Sequence, residues 1–544
     1  MGLKKGVIIL LSCVTECIVL FLLSISCSVL SYLIYLIDPV KLVLDYKLQM
    51  APDSMLFELW KKPPIDVYIK VYIFNVTNAE EFLKGGVKLK VEEIGPYVYK
   101  EVLENENITW HENGTISFVP MRKIVYVPEM SVGNPEDDWV DVPNIPMLGF
   151  FSTIHNAGFF VNYPLTSLTN VLQSKPILHL SVQEYLWGYE DPLIRLASGI
   201  LPNYIDFGKF GLLDRMYDEG KNVVLMNIKK NKNMTEEEGR YLSIELYNGN
   251  RGLSYWGYRE EKEIRPENTV CNRVKGSTEG ELFPMYIDKH AVFRIYRKSL
   301  CRPIPIVFKE EVMLENGING YLYTMPDNFL DPPDQNPDNA CYCRNKDKCL
   351  KKGLSDLTPC YYRIPAAMSL PHFLNGDPSL VEDIDGIKPD PEKHSTRVIL
   401  QPTIGIPMKV NSKMQINLVM HPTSYNRRIK PFSNMVIPLF WSEMVIDDVP
   451  DDLMLLMRLA LQIGPIGQTV IIWSLAIVGM VLFVLLVPTI FWIINQQQQQ
   501  QETMQTENRR DSDDLRIPLN YGQYATIRIL PAVRKITSKT DLFS

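Results

Sequence analysis

The sequence predicts a two-pass membrane protein with a single large α+β ectodomain. Three observations predict this fold class. Two long apolar runs lie near the ends of the 544-residue chain, the span between them is polar and Pro-rich, and β-prone segments dominate the first third of that span. The mean hydropathy of -0.06 hides this division because it averages the apolar runs with the polar span.

Composition and charge exclude several classes of protein. The net charge of -7 and the pI near 5.7 leave no basic surface for a nucleic acid. With 22% charged and 10% aromatic residues, and no long biased tract in its middle, the chain is not a disordered scaffold. Two apolar runs are too few to line the pathway of a channel or a multi-span transporter.

The first apolar run, Val7 to Ile37, is 31 residues long. Its last part, from Cys17, has 21 uncharged residues, and at ~1.5 Å per residue such a helix crosses a ~30 Å hydrocarbon layer. A cleaved secretory signal is the alternative, but the apolar part of a signal is typically only ~7–15 residues. Because Lys4 and Lys5 precede the run, a retained anchor places the N-terminus in the cytosol.

The second apolar run, from about Ile466 to Ile494, carries Trp473 and Trp492 towards its ends, as membrane interfaces favour. Six glutamines follow it, and we interpret them as a flexible spacer. The predicted organisation is a cytosolic N-terminus at 1–6, a transmembrane helix at 7–37, an extracellular or lumenal ectodomain at 38–463, a second transmembrane helix at 464–494 and a cytosolic tail at 495–544.

Glycosylation sequons and cysteines agree with this topology. The sequons are at Asn75, Asn107, Asn113 and Asn233, all in the predicted ectodomain, which we expect to be glycosylated. Six cysteines cluster within 90 residues of the ectodomain, at Cys271, Cys301, Cys341, Cys343, Cys349 and Cys360. In an oxidising compartment they predict three disulfides, with 15 pairings left open by spacing alone. A zinc site is the weaker reading, because the gap from Cys341 to Cys343 is too short and no His lies at ligand spacing.

The sequence predicts that the ectodomain is mostly antiparallel β structure with a few inserted helices. Val67 to Val76 and Val87 to Val102 are β-prone, and Gly95-Pro96 is expected to break the second segment. Asn113-Gly114 predicts a type I′ hairpin within Ile108 to Val119. Between Met147 and Leu196, helical spacing of apolar residues predicts two or three short helices at one end of the β body, with Lys175 where two of them end.

Sequence motifs give no catalytic or metal site. The acidic loop Asp327 to Asn339 lacks the ligand spacing of an EF-hand, so we interpret it as a solvated turn-rich loop. The chain has no HExxH, GxSxG, P-loop or dinucleotide glycine pattern, and its seven histidines are dispersed. We therefore expect neither enzyme activity nor a cofactor nor a bound metal.

The motifs along the ectodomain resemble those of the class B scavenger receptor family. They are Gly95-Pro96-Tyr97-Val98-Tyr99, Leu186-Trp187-Gly188-Tyr189, Ser254-Tyr255-Trp256, Asn336-Pro337-Asp338-Asn339 before Cys341-Tyr342-Cys343, Ser369-Leu370-Pro371-His372-Phe373-Leu374, Ile384-Asp385-Gly386 and Ile437-Pro438-Leu439-Phe440-Trp441. Their order between two apolar runs makes the resemblance specific.

The resemblance implies an antiparallel β-barrel-like body, an apical helical bundle and an internal hydrophobic tunnel. It also implies the pairs Cys271–Cys341, Cys301–Cys360 and Cys343–Cys349. Basic residues on the family's apical helices recognise anionic ligands, which makes Lys175 the candidate ligand-binding residue. Acylation of membrane-proximal cysteines in the family makes Cys13 and Cys17 candidates for that modification.

The function that these observations predict is a receptor that captures lipids or lipoprotein-like particles at its apex. It would pass fatty acid, sterol or carotenoid through the tunnel to the plasma membrane. The alternative is an endocytic, phagocytic or lysosomal sorting receptor for a protein or a cell surface, in the lysosomal or endosomal membrane. Tyr524 and Ile527 have the Tyr-x-x-apolar spacing that clathrin adaptors bind, which supports this alternative. The sequence also leaves open that the chain forms a homo-oligomer.

Overall fold

The computed structural model describes residues 2–200, 205–217, 220–230, 239–260, 266–314, 317–343, 349–423, 425–447 and 449–513. Two compact units are present: one comprises Met1–Asp38 with Gly467–Ser544, and the other is Pro39–Ile466. Two helical stretches, Cys13–Lys47 and Asp451–Thr506, are long and apolar enough to cross a bilayer.

The helices and the strands are numbered separately, each in chain order. The α-helices are α1 (Gly2–Ile37), α2 (Pro39–Lys47), α3 (Met55–Lys61), α4 (Ala79–Lys84), α5 (Ile145–Thr153), α6 (Phe159–Val171), α7 (Val182–Trp187), α8 (Pro192–Ile200), α9 (Leu212–Tyr217), α10 (Pro378–Glu382), α11 (Pro391–His394), α12 (Asp451–Arg458) and α13 (Gly464–Asp513). The strands are β1 (Val67–Val76), β2 (Leu89–His111), β3 (Thr115–Tyr126), β4 (Trp139–Pro143), β5 (Ile177–Ser181), β6 (Val224–Asn227), β7 (Ile244–Tyr247), β8 (Phe293–Ile295), β9 (Ile304–Met313), β10 (Asn319–Thr324), β11 (Ser355–Asp356), β12 (Ala366–Ser369), β13 (Ile384–Asp385), β14 (Arg397–Gln401), β15 (Ile406–Val419) and β16 (Val436–Ile446).

The two long terminal helices pack against each other through small and hydroxyl residues. Ser24 Oγ donates to the Gly479 carbonyl at 2.8 Å, and Ser31 Oγ donates to the Ile472 carbonyl at 2.9 Å. A Cβ on Gly479 would lie 2.8 Å from Ser28 Oγ, so glycine at this position allows the close approach. The glutamine run continues α13, so the predicted flexible spacer is wrong. Glutamine is a good helix former, which fits this outcome.

One large sheet dominates the other unit. Its strand order is β7-β6-β3-β2-β1-β16-β15-β14-β10-β9-β8, every neighbouring pair on this path is antiparallel, and β4 and β5 form a separate ribbon. Strand β2 is continuous, so the expected break at Gly95-Pro96 is wrong. A register shift opposite it, between Val71 and Ile73 of β1, accommodates this dipeptide. The β2–β3 hairpin forms as predicted, but the predicted type I′ turn is wrong. The loop has three residues, Glu112 to Gly114, and of these only Gly114 has a positive φ, at +75°.

The two edges of this sheet are connected through a short segment, Gly276 to Thr278. On one side it pairs with Ile244 of β7, whose N–H donates to the Ser277 carbonyl at 2.7 Å. On the other side the Thr278 N–H donates to the Arg294 carbonyl of β8 at 2.8 Å. The described strands therefore form an open path, and backbone hydrogen bonds of this segment, which we call the seam, link its two ends.

Three disulfides brace the second half of this unit. They join Cys271 to Cys341, Cys301 to Cys360 and Cys343 to Cys349, with Cα–Cα distances of 5.9, 6.0 and 5.0 Å. These are the pairs that the resemblance implies, and their Cα separations lie in the usual range for disulfides.

Candidate functional site

A cavity in the Pro39–Ile466 unit, which we call the main cavity, has a volume of about 370 Å³, within the ~300–1,000 Å³ range of small-molecule sites. Strands β1, β2, β8, β9, β14, β15 and β16 and helices α3, α9 and α12 all contribute to its wall. Apolar side chains make up most of the lining, among them Leu56, Trp60, Ile306, Val398, Met414 and Met444. Inward residues of an antiparallel sheet alternate with outward ones, so a sheet that curves around a space lines it with alternate side chains.

A smaller cavity of about 40 Å³ lies beside the first. The two cavities share Met216 of α9 and Ile416 of β15 in their walls. Ile145 of α5 and Leu212 of α9 complete the wall of the small cavity on the helical side. The two cavities are therefore neighbours, and the smaller one lies on the side of the inserted helices.

An ion cluster interrupts the apolar wall of the main cavity beside the seam. Arg122 of β3 lies 3.5 Å from Glu101 of β2, 3.5 Å from Glu279 and 3.4 Å from Glu281. Arg297 lies 3.2 Å from the same Glu101 carboxylate. These five side chains are each at most 13% exposed. Burial raises the pKa of Glu281, although the Arg122 and Arg297 charges oppose that effect.

Two exposed ion pairs also touch the cavity. Lys62 lies 3.9 Å from Glu104, and Lys100 lies 2.6 Å from Asp66. The Asp66 carboxylate raises the pKa of Lys100 by a hydrogen bond and by charge. The side chain of Lys62 is 67% exposed, so this part of the wall meets solvent.

Between Met147 and Leu196 the structure has four short helices, α5, α6, α7 and the start of α8, where the spacing predicts two or three, and strand β5 interrupts them between α6 and α7. Lys175 is exposed and lies in the connection from α6 to β5, and so it is not on a helix. Its carbonyl accepts a hydrogen bond from Asn144 at 2.9 Å, and the Arg428 guanidinium donates to the preceding Ser174 carbonyl. The Arg428 guanidinium therefore contacts the residue that precedes Lys175 in the chain.

Aromatic side chains are exposed at the start of α6. Phe159 is 52% exposed and Phe160 90%, and the Phe159 ring stacks on Tyr163 with 5.2 Å between centroids. Tyr425 contacts Phe159 from the other side. Exposed apolar patches of this kind are typical of interaction surfaces.

Three of the four sequons lie in the described residues. Asn107 and Asn113 are exposed, and Asn113 accepts a hydrogen bond from the Thr115 hydroxyl at 2.7 Å. Asn75 is half-buried on β1, where its Oδ1 accepts the Asp141 N–H at 2.8 Å. Asn233 lies outside the described residues, as do Tyr524 and Ile527.

The membrane-segment cysteines Cys13 and Cys17 lie on α1 as free, partly exposed thiols.

The fold also assembles a cluster that the sequence does not predict, because its members are far apart in the chain. Glu93 accepts hydrogen bonds from His372 Nε2 at 2.7 Å, Trp441 Nε1 at 2.8 Å and Lys393 Nζ at 3.0 Å. The His372 ring stacks on His394 with 4.5 Å between centroids. The nearest ligand atoms of Glu93, His372 and His394 lie within 4.8 Å of one another, which is a geometry that a metal could use.

Hydrogen bonding at the other ring nitrogens argues against a metal at this cluster. Nδ1 of His372 accepts the Lys388 N–H, and Nδ1 of His394 accepts the Asp390 N–H, each at 3.0 Å. Each Nε2 of a neutral ring therefore carries the proton, whereas a metal-binding His donates its second N–H outward. The three donors lower the pKa of Glu93 to about 2 against the effect of burial, and burial lowers the pKa of His394 to about 4. These contacts favour an ionised Glu93 carboxylate held by three hydrogen-bond donors.

Comparison with known proteins covers most of the chain. A family model described as the CD36 family matches residues 18–490. Scavenger receptor class B member 1 of Bos taurus is 30% identical over 398 residues, which cover 73% of this chain and 73% of the bovine protein. The protein of that name from Cricetulus griseus is 30% identical over 422 residues, 77% of this chain and 78% of the other. Lysosome membrane protein 2 of Homo sapiens is 30% identical over 403 residues, 73% of this chain and 78% of the human protein.

Proposed function

Because the chain belongs to the CD36 family, we propose that it is a receptor that passes apolar lipid cargo through its internal cavity to the membrane. Its bovine and hamster relatives carry the name of scavenger receptors, and a general scavenger or lipid receptor role follows from the family. Members of this family are receptors rather than enzymes. The predicted two-pass architecture with a large antiparallel ectodomain is confirmed by the two apolar terminal helices and the sheet.

The apolar cavity is the observation that carries this proposal. Fatty acids, sterols and carotenoids are scarcely soluble in water, and each CH₂ group kept out of water is worth ~0.8 kcal/mol. The shared residues Met216 and Ile416 bring the large cavity next to the small cavity below the inserted helices. Cargo that moves through such a space stays in apolar surroundings, so it does not meet the barrier of free diffusion through water.

Capture at the inserted helices is the second part of the proposal. The exposed rings of Phe159, Phe160 and Tyr163 offer an apolar contact surface. The charged Lys175 and Arg428, near the end of the same helix, favour an anionic ligand surface such as a lipid particle. We propose Lys175 as a ligand-binding residue on this basis, with the glycans at Asn75, Asn107, Asn113 and Asn233 and acylation at Cys13 and Cys17 as further features of the receptor.

The test compares uptake of labelled oleate, cholesterol and β-carotene by cells that express the chain and by cells that do not. Met216→Trp fills the junction of the two cavities, and we expect it to reduce uptake by about tenfold, equivalent to ~1.4 kcal/mol of added barrier. Met313→Trp is the matched control because Met313 is 66% exposed and lies outside both cavity walls. Its uptake should equal that of the wild type at the same surface level.

Equal uptake of all three lipids with and without the chain would refute transfer. Normal uptake by the Met216 variant would refute the cavity as the path while leaving lipid capture in place. The two results are therefore distinguishable.

A sorting receptor is the second candidate function. It is favoured by the spacing of Tyr524 and Ile527 in the tail, and the human relative carries the name lysosome membrane protein 2. The chain is a two-pass membrane protein, and the plasma membrane and the lysosomal membrane both fit it. With both termini in the cytosol, the tail would be in reach of clathrin adaptors.

A further inference from the structure

We propose that the buried ion cluster of Glu101, Arg122, Glu279, Glu281 and Arg297 makes the cavity select uncharged lipids over ionised fatty acids. The inference rests on the proposed function, because it names the cargo class that the same cavity accepts. Uncharged cargo here means sterols, carotenoids, fatty alcohols and esters.

The first step concerns the positive charges of the cavity wall. Among the described residues, Lys62, Lys100 and Arg297 are the cations that line it. Each already lies within 4.0 Å of a carboxylate. The pairs are Lys62–Glu104, Lys100–Asp66 and Arg297–Glu101. A ligand carboxylate that enters this space would have to compete with a protein carboxylate for any of these cations.

The second step concerns the balance of charge in the buried cluster. Two guanidiniums, Arg122 and Arg297, face three carboxyl groups, of which Glu101 contacts both. Burial raises the pKa of Glu281, which favours its uncharged form and so moves the cluster towards neutrality. The cluster therefore has no spare positive charge, and ionisation of Glu281 would make it negative.

These charges decide what the cavity can hold. Moving an ionised carboxylate out of water is costly unless a counter-charge receives it, and the effect is largest in apolar surroundings. A sterol hydroxyl, an ester or a carotenoid loses far less on the same path. The cavity should therefore admit a fatty chain readily when its head group is uncharged and poorly when it is a carboxylate.

The cluster also has a structural role, which the experiment must separate from its role in ligand selectivity. Glu279 and Glu281 directly follow the seam, and the cluster connects them to β2 and β3. Breaking a buried ion pair destabilises a protein whatever ligand is present. Only the selectivity role predicts an effect that depends on the charge of the ligand.

The experiment measures equilibrium binding of oleate and of methyl oleate to the detergent-purified full chain at pH 7.4. Methyl oleate is the less soluble in water, so the diagnostic quantity is the change in the ratio of the two dissociation constants between variants. Glu281→Gln mimics the protonated carboxyl and serves as the background, since no carboxyl at that position can then ionise to restore neutrality.

Adding Glu101→Gln to that background leaves an uncompensated guanidinium in the cavity wall. We expect oleate to bind about tenfold tighter, ~1.4 kcal/mol, with methyl oleate unchanged within about twofold. Glu106→Gln in the same background is the matched control, because Glu106 lies on the same strand but is exposed and lies outside the cavity wall. This control should leave the ratio unchanged.

Arg297→Gln shifts the charge in the opposite direction. It should weaken oleate relative to methyl oleate, so a general loss of folding cannot mimic both results. Suppose that the wild type binds both ligands and that neither Glu101→Gln nor Arg297→Gln changes the ratio of the two dissociation constants. That result would overturn this inference and leave the proposed function in place. If the wild type binds neither ligand, the proposed function fails and the inference fails with it.

Discussion

Replacing His394 with Asn should flatten the dependence of ectodomain stability on pH between pH 7 and pH 4.5. His394 is 1% exposed, its Nδ1 accepts the Asp390 N–H, and its ring stacks on His372 beside Glu93. Asparagine offers a similarly placed acceptor and does not titrate. The variant therefore removes the proton-binding site and keeps the hydrogen bond to the chain.

The magnitude follows from the shift in the His394 pKa. Burial first, and then the charges of His372 and Lys393, lower this pKa from 6.5 to about 4, while Glu93 and Asp390 oppose them. The unfolded chain binds the proton more readily than the folded one, so stability is present above pH 6.5 and is lost as the pH falls towards 4. Between pH 7 and pH 4.5 the loss is about 2.4 kcal/mol, at 1.36 kcal/mol for each pKa unit. The ionised form of Glu93, whose pKa lies near 2, persists through this range.

The assay is the melting temperature of the purified chain as a function of pH. For a unit the size of Pro39–Ile466, an entropy of unfolding near ~2.1 cal/mol/K per residue makes 2.4 kcal/mol equivalent to about 2–3 °C. The wild type should therefore lose about 2–3 °C more than the His394→Asn variant on acidification. His290→Asn is the control because His290 is exposed. Parallel curves for the wild type and the His394 variant would refute the reasoning.

Three further predictions concern stability and traffic. Replacing both Cys271 and Cys341 with Ser should cost about 4 kcal/mol, as expected for a closed loop of about 70 residues, and the loss of surface expression and melting temperature would report it. Gly386→Ala should destabilise the fold by more than about 2 kcal/mol, since φ is +101° and the new Cβ would overlap the Val91 carbonyl; normal maturation of this variant would contradict the structure. Tyr524→Ala should raise the surface fraction in an antibody-uptake assay if an adaptor binds the tail, and an unchanged distribution would remove that motif from the sorting function.

Local sequence signals predicted the local structure well. The Asn113-Gly114 pair predicted the β2–β3 hairpin, because the φ of +75° at Gly114 is costly for other residues. Helical spacing predicted the inserted helices α5 and α6, but it could not reveal that the chain between α6 and α7 forms β5. That strand exists because it pairs with β4, a partner about forty residues earlier in the chain.

Local sequence patterns could not predict contacts between residues that are far apart in the chain. The Glu93 cluster joins residues separated by 279 and 348 positions, so no window of sequence contains it. The position of Lys175 off the helices has the same origin. It depends on where α6 ends and on the hydrogen bond from Asn144.

The sequence by itself determined the two apolar helices, the ectodomain between them and the β-rich character of that domain. Apolar length and local propensity are additive along the chain, so they can be read without the fold. Only the tertiary structure decided that the sheet encloses a cavity, that the seam links its edges, and that Arg122 meets three carboxyl groups in the cavity wall. The free energy of a buried charge depends on which partners surround it in space, and those partners come from separate strands and loops.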